Sequence, residues 1–286
     1  MQISTALFAG LLLAAVPQCT PKSVADEQPS TKSLTFVELA EKGDASAQRD
    51  LGVKYEYGDG VEKNEAEAVR WYTLAAKQGD SDAQYSLALM YGDGRGVARN
   101  DKEAVRLYRL SADQGNMHSQ YNLGVMYRDG RGVAKDDAEA VRLYKLSADQ
   151  GYDFAQFNMA IRYGNGRGVK KDEAEAARLY RLAADQGLAP AQYNLGVMNE
   201  HGIGVARNHA EAVRLYLLAA KQGHSDAQYN LALMYEYGEG VTKDYVQAYK
   251  WFNSAAEAGD KKALAQRNEL KKLLTSEQIV EATNAT

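Results

Sequence analysis

Asn116–Gly151, NMHSQYNLGVMYRDGRGVAKDDAEAVRLYKLSADQG, meets a near copy of itself when the chain is shifted by 36 residues in either direction. The glycines check the shift. Gly43, Gly79, Gly115, Gly151, Gly187, Gly223 and Gly259 lie 36 apart without a slip, as do Gly58, Gly94, Gly130, Gly166, Gly202 and Gly238. Each member of the second series is followed two and three residues later by Gly-Val. Six complete units therefore fill 44–259, divided as 44–79, 80–115, 116–151, 152–187, 188–223 and 224–259. A repeat of about 20–50 residues denotes a solenoid or array whose units bury their apolar faces only against their neighbours.

Within one unit the apolar spacing is helical. Ser119, Leu123, Gly124 and Tyr127 recur at i, i+4, i+5 and i+8, and Ala140, Val141, Tyr144 and Ala148 repeat the pattern in Asp137–Gln150. Each unit therefore reads as two antiparallel helices, A and B. Between them Gly130-Arg131-Gly132-Val133 supplies glycine where a helix C-cap requires positive φ. Asp136 stands at the N-cap of helix B, with Asp137 and Glu139 near the positive end of the helix dipole. Asn64, Asn100, Asp172, Asn208 and Asp244 hold the same cap position in the other units.

The ends depart from the repeat. Ala6–Val16 is an apolar run too short to span a bilayer, and Ser23-Val24-Ala25 places small residues at −3 and −1 of a cleavage site. This reads as a secretory signal over 1–25, although no Lys or Arg precedes the run. A second reading makes Cys19, the only cysteine, a lipidated N-terminus, which would tie the chain to a membrane. Residues 26–32 have the composition of a flexible linker. Residues 33–43 align on the second half of a helix B and are expected to cap the stack as a half-unit. Residues 260–286 begin a seventh helix A made polar by Lys261, Lys262, Lys271 and Lys272. Thr275-Ser276-Glu277-Gln278 then fits a capping box that opens a last short helix. Polar ends are what a finite solenoid requires.

Ala-Gln-Tyr-Asn-Leu-Gly, Gly-x-Gly-Val and Glu-Ala-x-x-Leu-Tyr-x-x-Ala-Ala stand at Ala191–Gly196, Gly202–Val205 and Glu211–Ala220. Together they resemble the Sel-one-like repeat family, related to the tetratricopeptide repeats. The resemblance implies an all-α fold, a right-handed α/α superhelical solenoid of six 36-residue helix-turn-helix repeats with helical end caps. It also implies a protein-binding adaptor, in bacteria often exported. Some secreted cysteine-rich members bind or hydrolyse penicillin-like compounds, but this chain lacks their paired cysteines.

Other function classes leave little trace. A net charge of −4 without a basic block argues against nucleic acid, where affinity rests on neutralising phosphates. Ser-x-x-Lys, Lys-Thr-Gly, Gly-x-Ser-x-Gly and His-Glu-x-x-His are all missing, so no catalytic residue, cofactor or metal is expected. Gly92–Val97 is glycine-rich, yet no strand precedes it and no Lys-Ser/Thr follows, so it reads as a turn. His201 and His209 flank one loop without a third metal ligand. All four histidines, His118 and His224 included, fall in columns read as solvent-facing.

Two stripes remain. On helix B, Glu67, Glu103, Glu139, Glu175 and Glu211 precede an arginine by three residues, the spacing of surface ion pairs. On helix A, at about 100° per residue, a further apolar set falls on the side away from the Ala47, Leu51 and Tyr55 core columns. It comprises Tyr85, Tyr121, Phe157, Tyr193 and Tyr229, together with Val125, Ile161, Val197 and Leu233, with Arg128 at the rim. A face opposite the core is not expected to be this apolar unless something covers it. Two readings stand: a concave groove with aromatic anchors for a protein or peptide segment, or packing of the rings on neighbouring units. The expectation is an exported, non-enzymatic scaffold, periplasmic or secreted. The alternative class is a cell-envelope hydrolase acting on β-lactams or peptidoglycan fragments.

Overall fold

A computed structural model describes residues 32–284. The expected signal segment with its Ser23 and Ala25 site, Cys19, and the linker up to residue 31 lie outside the described residues. Helix α1 (Lys32–Glu41) begins one residue before the expected half-unit and packs on the first of six helix pairs. The pairs are α2 (Ala45–Tyr57) with α3 (Glu65–Lys77), α4 (Ser81–Asp93) with α5 (Asp101–Asp113), and α6 (Met117–Asp129) with α7 (Asp137–Asp149). They continue as α8 (Asp153–Asn165) with α9 (Glu173–Asp185), α10 (Ala189–His201) with α11 (His209–Lys221), and α12 (Ser225–Tyr237) with α13 (Tyr245–Glu257). Helix α14 (Lys261–Leu270), a 3-10 turn (Lys271–Leu273) and α15 (Ser276–Asn284) follow. Every A helix packs on its own B helix and on the B helix before it, giving an α/α solenoid of six repeats with helical ends.

Each boundary has a local cause. Asn64, Asn100, Asp136, Asp172, Asn208 and Asp244 cap the B helices, their side chains accepting from N–H groups of the first turn. Asp44, Asp80 and Asn116 do the same for the first three A helices, at 2.7, 2.7 and 2.9 Å. Thr275 and Gln278 close the expected capping box on α15, with bonds of 2.9 and 3.3 Å.

Packing alternates between units. Tyr72, Tyr144 and Tyr216 on the B helices are wholly buried, and each lies in space that a glycine leaves on the facing A helix. A Cβ at Gly52, Gly124 or Gly196 would fall 2.6, 2.9 or 2.7 Å from the ring. The intervening units carry Ala88, Ala160 and Ala232 instead. Where the tyrosine moves in closest, its hydroxyl reaches a polar residue on the A helix: Glu56 accepts from Tyr72 at 2.6 Å and Glu200 from Tyr216 at 2.5 Å.

The inter-helix loop docks on the previous unit. Gly132 has φ +68°, and a Cβ there would lie 2.2 Å from the Asp101 carbonyl oxygen at the start of α5. That approach admits only glycine. The same contact recurs at Gly96, Gly168, Gly204 and Gly240, so the loops set the stacking of one unit on the next.

Candidate binding face on the A helices

All ten residues expected to line a groove are half-buried. Tyr85 packs against one apolar core cluster, Tyr121, Val125, Phe157 and Ile161 against a second, and Tyr193, Val197, Tyr229 and Leu233 against a third. Each ring meets an aromatic ring of its own B helix. Tyr121 lies 5.6 Å from Tyr144, Phe157 5.7 Å from Tyr180 and Tyr229 5.5 Å from Phe252, the offset or edge-on geometries that ring quadrupoles favour. Three rings also touch the start of the next unit: Tyr85 with His118 at 5.7 Å, Tyr121 with Tyr152 at 5.2 Å, and Tyr193 stacked on His224 at 4.7 Å. The rings are thus neither free at the surface nor sealed in the core. At the rim, Arg128 grips Asp129 through two bonds of 2.7 and 2.8 Å, which raises its pKa.

The histidine columns need a correction. His201 is exposed, but His118 and His224 are half-buried against the tyrosines just named, and burial lowers both pKa values. These positions open an A helix, where the incoming unit covers the ring before it. His224 also serves as an N-cap, its Nδ1 accepting from the Ala227 N–H at 3.3 Å. His201 and His209 go to separate carboxylates, Glu200 at 3.9 Å and Glu239 at 3.4 Å. Among the described residues no group of three or more His, Cys, Asp or Glu is placed to hold a metal ion, and no helix is long and apolar enough to cross a membrane.

Sequence reasoning passed over the residue after each aromatic. Asn122, Asn158, Asn194 and Asn230 form a half-buried amide row along the same face. Asn158 Nδ2 donates to the Tyr121 hydroxyl of the preceding unit at 3.3 Å. Burial pushes the Tyr85 and Tyr193 phenols up to about 12, so both stay neutral. The signal was present in the repeated Tyr-Asn pair, since mid-helix asparagine is a poor helix former.

The row ends in acidic surroundings. Glu200, Asn230, Leu233, Met234, Tyr237 and Glu239 line a depression of about 180 Å³ between α10 and α12. Nearby, Glu236 Oε2 is buried without a hydrogen-bond partner, and burial raises that carboxyl's pKa.

On the outer face the expected ion pairs form, for example Glu139–Arg142 at 2.7 Å and Glu175–Arg178 at 2.7 Å. Beside them runs an apolar row that the sequence reading missed: Leu110, Leu146, Leu182 and Leu218, one per unit and all exposed.

The family model for the Sel1 repeat matches residues 45–80, 81–116, 118–152, 153–188, 189–224 and 225–260. The chain is similar to a protective antigen present in uropathogenic Escherichia coli strains that displays an SLR fold, at 37% identity and a TM-score of 0.83. That match covers 87% of this chain and 54% of the antigen, so the chain spans about half of its length. A Sel1 repeat protein from Oxalobacter formigenes is similar at 30% identity and a TM-score of 0.68, over 79% of this chain and 97% of that one. No curated protein matches.

Proposed function

The chain belongs to the Sel1 repeat family, scaffolds that mediate protein–protein interaction and are generally non-catalytic, and we propose that it is an exported adaptor holding a protein or peptide segment in a concave groove lined by its A helices. The observation that carries this reading is the row of half-buried rings and aliphatic side chains on the A-helix face turned from the core columns. Such a row retains apolar area for a partner while its rings are already ordered, which lowers the entropy cost of binding. Export is supported by the Ala6–Val16 run with Ser23 and Ala25, and by the likeness to a protein that is itself a protective antigen.

The test is capture from a cell-envelope extract with four versions of the mature chain. Val125→Glu with Val197→Glu places charge on the proposed groove. Leu146→Ser with Leu182→Ser alters the outer leucine row, and Arg142→Ala with Arg178→Ala the outer ion pairs. Circular dichroism establishes that each version is folded. The groove pair should weaken capture at least about tenfold, or 1.4 kcal/mol, and the two outer pairs should leave it intact. Loss confined to the leucine pair would move the interface to the B helices, and β-lactam turnover by the wild-type chain would replace the adaptor reading with a hydrolase. Intact mass of exported material should begin at Asp26, whereas a lipid on Cys19 would establish the anchored form.

A further inference from the structure

Tyr144 has lost the acceptor that its counterparts keep. In the first and fifth units the buried tyrosine of the B helix donates to a glutamate sixteen residues back, Tyr72 to Glu56 and Tyr216 to Glu200. In the first unit Arg95, from the next loop, completes the group by donating to Glu56 at 2.8 Å. The third unit keeps the glycine-seated tyrosine, but its glutamate column holds Arg128 and its Arg95 column holds Arg167. The Tyr144 hydroxyl is buried with no hydrogen-bond partner. Arg167 is exposed and makes no ion pair among the described residues. Both donors of the group therefore remain, and the carboxylate between them is missing.

We propose that Tyr144, Arg128 and Arg167 form a binding site for a carboxylate supplied by another molecule, from an acidic side chain or a chain terminus. The first unit shows that a carboxylate fits between such donors. Arg128 uses Nε and Nη2 on Asp129, and no hydrogen bond among the described residues engages its Nη1. A guanidinium carries five N–H donors in a planar fork, so it can hold a second carboxylate beside the first. Reaching the phenol requires Arg128 to swing outward, and surface side chains change rotamer within nanoseconds. Burial holds the Tyr144 phenol above its ordinary pKa, so the hydroxyl stays protonated and able to donate. Arg128 and Arg162 pull that pKa back down, the sign of positive charge around the oxygen, although Asp137 pairs with Arg162 at 2.7 Å. An anion is favoured there over a neutral acceptor, because hydrogen bonds to a charged group are about twice as strong. The site lies within the third and fourth units and does not depend on the groove reading.

The probe is N-acetylglutamate amide, a glutamate side chain with both main-chain ends blocked, titrated into the folded mature chain at constant ionic strength. The arginine Nε–Hε NMR signals of Arg128 and Arg167 report binding. N-acetylglycine offers a terminal carboxylate instead, and N-acetylglutamine amide is the uncharged isostere of the first probe. Saturable shifts are expected with a carboxylate, the tighter of the two naming its source, and none with the glutamine amide. Tyr144→Phe removes only the hydroxyl and should weaken binding at least about tenfold, the loss expected for a hydrogen bond to a charged group. Arg128→Glu places a tethered carboxylate beside the phenol, as at Glu56, and should abolish the shift at Arg167. Circular dichroism establishes that both variants are folded. The proposal is overturned if neither carboxylate saturates by about 100 mM, or if the glutamine amide shifts the signals equally. Undiminished binding by Tyr144→Phe or by Arg128→Glu overturns it as well. The titration uses no groove partner, so the groove reading and this one fail separately.

Discussion

Gln114 donates its side-chain amide to the Gln84 carboxamide oxygen at 2.8 Å, tying the end of α5 to the buried first turn of α4. Gln84 in turn donates to the Ala76 carbonyl at the end of α3, so the two side chains join three consecutive helices. Gln48 with Gln78, Gln120 with Gln150, Gln156 with Gln186 and Gln192 with Gln222 repeat the bond at 2.8–2.9 Å. The last unit breaks it: Ala258 stands where the donor should be, and Gln228 Oε1 is buried without a partner. Ala258→Gln should restore the bond and add about 0.5–1.5 kcal/mol, read as a higher Tm. An equal rise for Ala258→Leu, which lacks a donor, would assign the gain to packing.

Glu236 lacks a donor in the same way. Glu56 and Glu200 accept from Tyr72 and Tyr216, each sixteen residues ahead, but Glu236 faces Phe252 at that spacing. Burial raises its folded pKa above the usual carboxylate value, so the wild-type chain should gain stability as pH falls through that raised pKa toward about 4.3, the unfolded value. Phe252→Tyr should supply the hydroxyl, lower the Glu236 pKa and remove the gain. A carboxyl NMR titration in both chains measures it, and an unchanged pKa would refute the pairing.

The fold was legible because one period of 36 residues governs glycines, caps and core columns together, and agreement across levels is what makes a reading specific. The binding face was legible only in part. Tyr121 could be placed on the A-helix side away from Leu123, but helix angle alone does not reveal that Tyr144, Tyr152 and Phe154 cover half of it. The same limit hid His118 and His224, whose columns read as solvent-facing from Asp82 and Asp226 in the first and Asp80 and Asn116 in the second, although Phe154 and Tyr152 stand in them too. Burial there depends on how far the next unit tilts over the ring. That tilt is set by loop contacts such as Gly132 on Asp101, which link residues 31 apart.

Stability should fall as pH drops from about 7.5 to 5.5. Burial lowers the folded pKa of His118 and His224 below 6.5, while Asp82 and Asp153 beside the first and Asp226 beside the second pull the other way. With folded pKa values depressed, the unfolded chain binds more protons through this window, so the loss begins near the unfolded pKa and completes below the folded ones. His118→Phe with His224→Tyr, the residues already present at Phe154 and Tyr152, should flatten Tm against pH. A double variant with the wild-type slope would place the proton uptake elsewhere.

Two glycines of one unit separate backbone strain from the stacking contact. Gly151 has φ +94° and open space where a Cβ would stand, while Gly132 has φ +68° with the Asp101 carbonyl oxygen 2.2 Å from the corresponding point. Alanine at either site incurs the left-handed penalty of about 1–2 kcal/mol. Only at Gly132 must the loop also lift off α5, opening the joint between consecutive units and releasing the neighbouring Arg131–Asp101 ion pair at 2.8 Å. Gly132→Ala should therefore cost well beyond Gly151→Ala, by about 2 kcal/mol or more, in urea titrations of each variant. Because units couple only to neighbours, the damage should also lower cooperativity, seen as a shallower transition or a populated intermediate in which one side of the joint has melted. Equal costs for the two substitutions would mean that helix packing, not the docked loop, holds one unit on the next.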